Sequence, residues 1–408
     1  MTTVGIGIIG AGFLAETRAR CYTQVGGAVR ARIVAVAART EASAGTYAAR
    51  HRVPFVTTDH RALLERPDVQ LVELCVPNHL HRPLAEAAAA AGKHVVCTKP
   101  LTAYVGQDLP AGATDADVAG RDRREMLRVV EADAAAMVDA AKRAGVQLMY
   151  GENWVYAPAI RRAERLVRST GGSILEMRGG ECHSGSHSPY SRRWRFTGGG
   201  ALLRLGAHPI GAMLHLKRLE GLARSGRPIR PVAVTAETAD VTRVPRAGRT
   251  WIATGWEDVE TWAAAILTFD DGSRAVVHAS DAVLGGMTSR LEIFLSNSRL
   301  ECCLSPNDLL RAYAPDAEVF GEEYLQEKLE TRAGWSTPMP DEDWTSGHLA
   351  MCQDFVEAVA TGRPSRADGE LGLEVVRVVY AAYLAAATGL RVSLDDRVGA
   401  SSERRAGA

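Results

Sequence analysis

The segment VGIGIIGAGFLA, residues 4 to 15, narrows the choice of fold more than any other part of the chain. Val4 to Ile9 is a short apolar run with the length of a buried strand, and Gly10-Ala11-Gly12-Phe13-Leu14-Ala15 opens a helical stretch through Val25. A strand that passes straight into a helix needs a tight turn, and each small residue has a geometric reason. Gly10 permits the turn, Gly12 lets backbone approach a bound anion, and Ala15 lets the helix pack closely on the strand. The helix N-terminus then turns its N–H groups toward that anion.

Similar units follow. Ile33 to Ala38 and Leu71 to Val76 read as strands, the latter ending at Pro77. Leu84 to Ala91 is an alanine-rich helix stopped by Gly92, His94 to Cys97 is a strand before Lys99-Pro100, and Gln147 to Tyr150 closes the series. Short apolar strands alternating with helices predict an α/β, doubly wound parallel sheet of the Rossmann type over residues 1–150. Residues 103–125 interrupt the rhythm with Gly106, Pro110, Gly112, Gly120 and the charge run RDRRE. They are expected either as a mobile insertion near the site or as a plain surface loop.

After Gly151 the pattern changes. Val232 to Val241, Thr261 to Phe269, Ala275 to His278 and Leu291 to Leu295 are β-rich, with hairpin turns at Asp270-Asp271-Gly272 and Ser296-Asn297. Residues 151–396 are therefore expected to form an α+β domain on a large, mostly antiparallel sheet, closed by helices His348 to Ala360 and Leu371 to Ala387. Residues 397–408 read as a disordered tail.

Basic and acidic residues number 48 each, so no global charge recruits nucleic acid or an anionic membrane. No apolar run approaches the length of a membrane helix, and Met1 leads directly into the first strand, so no signal sequence is expected. Seven cysteines without regular spacing do not form a disulfide framework, which points to a reducing cytoplasm.

The first turn fits a dinucleotide pyrophosphate, and the end of the second strand bears on which dinucleotide. NAD sites usually place Asp or Glu there for the ribose diol. This chain has Ala38, then Arg39 and Thr40, and a guanidinium with a hydroxyl suits a 2′-phosphate. The cofactor reading is NAD(P), favouring NADP; stacking of Arg39 on adenine is the alternative.

The string LCVPNHLHRPLAEAAAAAGKHVVCTKPLT, residues 74 to 102, resembles the Gfo/Idh/MocA oxidoreductases, as do GIIGAGFLA, GENWVYAPA and GGGALLRLGAH. The resemblance implies hydride transfer between a nicotinamide and a secondary alcohol or ketone of a sugar, cyclitol or related polyol. It further implies a sheet face that often forms subunit interfaces, here in a homodimer or homotetramer. It places Pro77, Asn78 and His81 along the nicotinamide and Lys99 against both nicotinamide ribose and substrate hydroxyl. It also makes His208 a catalytic-site histidine and puts Asn153 at the domain junction. Two positions depart from the family pattern: Thr98 replaces the glutamate before the lysine, and Arg204 replaces an aspartate four residues before His208.

Alcohol oxidation needs a base near the hydroxyl proton. Lys99 is the best candidate, since burial and a neighbouring cation both lower an amine's pKa, and His208 is suited to be base or hydrogen-bond partner. Arg204 has three open readings: a fork for an anionic substrate group, a tuner of Lys99, or an outward-facing solvent residue. Pro209 argues for a kink or fresh helix start at His208. The loop from Glu181 to Trp194 is dense in polar groups, and His183, His187 and Tyr190 suit contact with a sugar-like molecule. Trp154 is either a substrate contact or core. Cys182, His183 and His187 lack the second ligand pair of a structural zinc site, so no metal is expected. Two other functions stay open: a glycosidase acting through transient ring-hydroxyl oxidation and elimination, and a non-catalytic nucleotide-binding regulator.

Overall fold

The computed structural model describes residues 1–186, 188–245, 247–306 and 309–394. His187 and the 397–408 tail lie outside the described residues. Compactness divides the chain differently from a cut at residue 150. One unit comprises Met1–Ala103, Ala132–Arg161 and Pro340–Leu373; the other comprises Tyr104–Glu131, Arg162–Met339 and the chain from Glu374 onward.

The first unit carries six strands, β1 (Thr2–Ile9), β2 (Val29–Ala37), β3 (Phe55–Thr57), β4 (Leu71–Leu74), β5 (His94–Thr98) and β6 (Leu148–Gly151). All pair in parallel, in the order β3-β2-β1-β4-β5-β6. This is the doubly wound order 3-2-1-4-5-6, in which ligands bind beyond the carboxyl ends of the strands. Ile6, Ile8, Val36, Val72, Val95 and Val96 are buried, which explains why these strands read as continuous apolar runs. Beneath them Arg18 and Glu73 form a fully buried pair at 2.9 Å, with Tyr22 donating to Glu73 at 2.5 Å.

The second unit carries β7 (Ile174–Cys182), β8 (Pro231–Ala239), β9 (Trp262–Phe269), β10 (Arg274–Ser280), β11 (Thr288–Leu295) and β12 (Arg299–Ser305). The short β13 (Ala312–Ala314), β14 (Gly334–Ser336) and β15 (Val392–Ser393) follow. Seven of them form a sheet ordered β12-β11-β7-β10-β9-β8-β15, antiparallel except for β7 with β10. Cys302 and Cys303 lie inside β12. The central strand β7 has no apolar alternation in sequence. Its Gly179 leaves the space that Met213 and Pro209 fill, a Cβ there coming within 2.9 and 3.1 Å of them. Packing onto this glycine decides a strand that local propensity does not.

Residues expected as an insertion are committed to this second unit. Tyr104 is fully buried, its N–H donates to Tyr380 Oη at 2.7 Å and its carbonyl accepts from Trp194 Nε1 at 3.1 Å. Asp115–Ala119 is a short helix with a Thr114–Asp117 capping box. Arg195 pairs with Asp115 at 2.6 Å. The helix Gly369–Thr388 is long and apolar enough to cross a membrane by composition, but 67% of its window is buried within the fold.

Candidate active site

In the first unit the site is built from strand ends. β1 gives way to Gly10, whose φ of +101° and missing Cβ are both required, since a Cβ would lie 2.1 Å from the Cys75 carbonyl oxygen. At Gly12 an added Cβ would meet nothing within 4 Å, so the space beyond this residue is open. Gly12 is also the N-cap of helix α1 (Phe13–Thr23), and no side chain caps it. An open turn in front of an uncapped helix start fits a dinucleotide pyrophosphate. Gly12→Ala should therefore leave the melting temperature of the ligand-free protein unchanged while weakening NAD(P) binding about tenfold or more. Gly10→Ala should lower the melting temperature itself; differential scanning fluorimetry with and without dinucleotide separates the two.

Phe13 is 81% exposed, and Arg39 and Thr40 are exposed at the end of β2. Thr40 caps the next helix by accepting from Ser43 N–H at 3.2 Å, so its hydroxyl has a structural duty besides any contact with a ribose. Pro77 is exposed and Asn78 half-buried after β4. His81 is fully buried, with Nε2 3.1 Å from the Val76 carbonyl and Nδ1 3.0 Å from that of Pro100. It fastens the turn after β4 to the turn after β5. Burial lowers its pKa.

Lys99 follows β5 and is half-buried. β5 and β6 pair with Thr98 opposite Gly151, so the next residues, Lys99 and Glu152, leave the sheet edge side by side. Glu152 is fully buried and its Oε1 accepts from Trp154 N–H at 3.1 Å. Desolvation pushes its carboxyl up to about 8, with the Lys99 charge acting in the opposite direction. Sequence reasoning missed this residue. Asn153, expected at the domain junction, and Trp154, expected as substrate contact or core, are tied into the first unit: Asn153 Nδ2 donates to the Ser346 carbonyl at 2.7 Å, and Trp154 is 2% exposed.

The second unit repeats the device. β7 and β10 are the parallel pair of its sheet, with Cys182 opposite Ser280, so His183 and Asp281 emerge together. Gly185 N–H donates to His183 Nδ1 at 2.9 Å, which makes that nitrogen an acceptor and leaves the ring proton on Nε2. Asp281 Oδ1 is 3.5 Å from the same nitrogen. Burial raises the Asp281 carboxyl pKa, and Arg204 and Lys328 oppose that rise.

Arg204 does not point to solvent. Its side chain is 15% exposed, it forms an ion pair with the fully buried Asp281, and it lies over the Trp256 ring at 5.1 Å. The backbone explains the placement. Leu202–Gly206 is a π-helical turn and Ala207–Ser225 a regular helix, so Arg204 and His208 are not on one α-helical face. Helical backbone runs unbroken from Ala201 through Ser225, and Pro209, which has no N–H to donate, closely follows the π-helical turn where the regular ladder is interrupted. The preceding glycines are needed as well: a Cβ on Gly200 would lie 1.9 Å from the Glu260 carbonyl oxygen. The Glu260 carboxylate accepts from Gly200 N–H at 3.0 Å and Leu202 N–H at 2.9 Å, which holds the start of this turn.

His208 is 7% exposed, with Nε2 3.9 Å from Glu181 Oε1, and Glu181 Oε2 accepts from Ser289 Oγ at 3.1 Å. Tyr190 is 65% exposed and meets Phe196 edge-on at 5.6 Å.

Comparison with known proteins agrees with both units. Residues 4–114 match the model of the oxidoreductase family with an NAD-binding Rossmann fold, and residues 160–301 match the Gfo/Idh/MocA C-terminal domain. The chain belongs to the Gfo/Idh/MocA family. As a Gfo/Idh/MocA oxidoreductase it is 30% identical to levoglucosan dehydrogenase of Pseudarthrobacter phenanthrenivorans over 222 residues, 52% of this chain and 50% of that protein. The D-xylose 1-dehydrogenase (NADP(+)) 2 of Haloferax volcanii is 27% identical over 368 residues, 88% of this chain and 91% of its own. Among solved structures, GenD2 from gentamicin A biosynthesis, in complex with NAD, shares the fold with a TM-score of 0.76 and 24% identity, covering 97% of both chains.

Proposed function

We propose that this protein is a cytoplasmic NAD(P)-dependent dehydrogenase or reductase that interconverts a secondary alcohol and a ketone on a neutral sugar, cyclitol or related polyol, with NADP favoured. The observation that carries the reading is Lys99, set beside a buried carboxyl at the carboxyl edge of a parallel sheet whose first turn is open at Gly12.

Gly10, Gly12, Phe13 and Leu14 would hold the pyrophosphate, Arg39 and Thr40 the adenosine ribose, and Pro77, Asn78 and Lys99 the nicotinamide ribose. His81 would act from behind them as a buried clamp. The bound nicotinamide supplies the hydride acceptor or donor. Lys99 as an amine accepts the hydroxyl proton during oxidation and returns it during reduction. His208, with Glu181 near its Nε2, binds a substrate hydroxyl or takes its proton. His183 offers an Nε2 proton to a substrate oxygen, and the exposed Tyr190 ring gives a sugar an apolar face to stack on.

The pairing of Arg204 with Asp281 supports a neutral substrate over an anionic one. A guanidinium whose charge is already met inside the fold has less to gain from a carboxylate or phosphate. The similarity to levoglucosan dehydrogenase and to D-xylose 1-dehydrogenase supports a sugar-like substrate. The seven free thiols fit a reducing compartment. The sheet row of Ile266, Val276 and Arg178, with Ile266 49% exposed, would carry the subunit contact of a homodimer or homotetramer.

A screen of sugars, cyclitols and uronic acids with NAD and NADP separately tests the proposal. Reduction of the nicotinamide by a neutral polyol, faster at limiting NADP than NAD, is the expected result. Turnover confined to the uronic acids would overturn the neutral-substrate reading.

A further inference from the structure

We propose that Glu152 and Lys99 form a coupled acid–base pair that shares one proton, so that Glu152 sets when Lys99 is available as an amine. This rests on the reading of Lys99 as the group that moves the substrate proton.

The placement comes from sheet register rather than from any sequence motif. With Thr98 opposite Gly151 in a parallel pair, the two side chains leave one edge on adjacent strands. Gly151 brings the strands close, since a Cβ there would lie 3.0 Å from Thr98 Cα. The Glu152 carboxyl is fixed at the start of the short helical turn Asn153–Tyr156 by its bond from Trp154 N–H, and the residue is fully buried.

The other ionisable groups around it are accounted for. Tyr150, on the same strand, is raised by burial and by the Glu152 charge, so it stays a neutral phenol. Arg18 on α1 reaches within 3.5 Å of where a Gly151 Cβ would stand, but its charge is committed to Glu73. Lys99 is the cation that stabilises the Glu152 carboxylate, and desolvation is the larger, opposing influence. A buried carboxyl held above its usual range and an amine beside it titrate as one unit, with a protonation state in which a single proton is divided between them. Moving the proton from Nζ to a carboxylate oxygen converts ammonium and carboxylate into amine and carboxylic acid, leaving the net charge of the pair unchanged. Lys99 thereby becomes a base without an ammonium having to lose its proton to water.

The test is a pH titration of the full-length protein labelled with [ε-13C]lysine, read by NMR without substrate. The chain has only five lysines, Lys93, Lys99, Lys142, Lys217 and Lys328, so Lys99 is assigned by the signal lost in Lys99→Arg. The wild-type Lys99 signal should titrate in two steps, one of them near the Glu152 transition. In Glu152→Gln it should titrate in one step, with the final deprotonation about one pH unit or more lower, because the carboxylate that favours the ammonium is gone. Glu152→Asp should keep two steps. A single-step wild-type curve, or curves that coincide in wild type and Glu152→Gln, would overturn the pair, and the wild-type titration decides even if a variant does not fold. Because no turnover is involved, coupling without polyol oxidation would sink the activity alone, and polyol oxidation without coupling would sink only the pair.

Discussion

Lys99→Ala should lower kcat by about 10²–10⁴-fold while the affinity for NAD(P) changes no more than about tenfold. The amine is the group placed to take the hydroxyl proton, and by register it stands beside a buried carboxyl pushed up to about 8. Most of the dinucleotide's hold would come from elsewhere, from the open turn at Gly12 and the start of α1. The loss should therefore fall on the chemical step. Steady-state kinetics paired with dinucleotide binding by fluorescence separates the two, and a variant that lost affinity but kept kcat would make Lys99 a cofactor ligand only.

The second large effect concerns stability. Asp281→Ala should cost about 3 kcal/mol, because it leaves the Arg204 guanidinium in a largely buried position without its counter-ion. Arg204→Met should cost less than Asp281→Ala. A buried Asp281 can take up a proton, as its raised pKa already favours, whereas a guanidinium cannot shed one. Arg204→Met with Asp281→Leu should recover much of the loss, since replacing both members by apolar groups removes two desolvated charges together. Urea denaturation of the three variants measures this. If Asp281→Ala is as stable as wild type but loses activity on its best substrate, Arg204 is held for the substrate rather than for the fold.

Wherever a residue's role is set by its immediate neighbours in sequence, the chain is readable. Gly10 and Gly12 announce the turn because a tight turn and an open approach are local demands. Pro209 announces a disturbance of the helical ladder, and the structure shows it as the π-helical turn Leu202–Gly206 within a continuous helix rather than as a fresh start at His208. Glu152 and Asp281 are invisible in the same sequence, since each gains its partner through strand register: Gly151 against Thr98 and Ser280 against Cys182. The absence of an aspartate at position 204 looks like the loss of a charge, yet the fold supplies a carboxylate from the end of β10. The segment from Tyr104 misleads for a related reason. Its glycines and charges read as solvated loop, but Tyr104 is buried against Trp194 and Tyr380, which lie far away in sequence.

Net hydride transfer is what separates a dehydrogenase from a glycosidase that uses its nicotinamide only transiently. The most direct measurement is the stoichiometry of dinucleotide reduction, followed by absorbance, against ketone formed from a neutral polyol. One NAD(P)H for each ketone, both abolished together in Lys99→Ala, is the expected result. Cleavage of a glycoside with no accumulation of NAD(P)H would contradict it and assign the chain to the redox-neutral elimination chemistry instead.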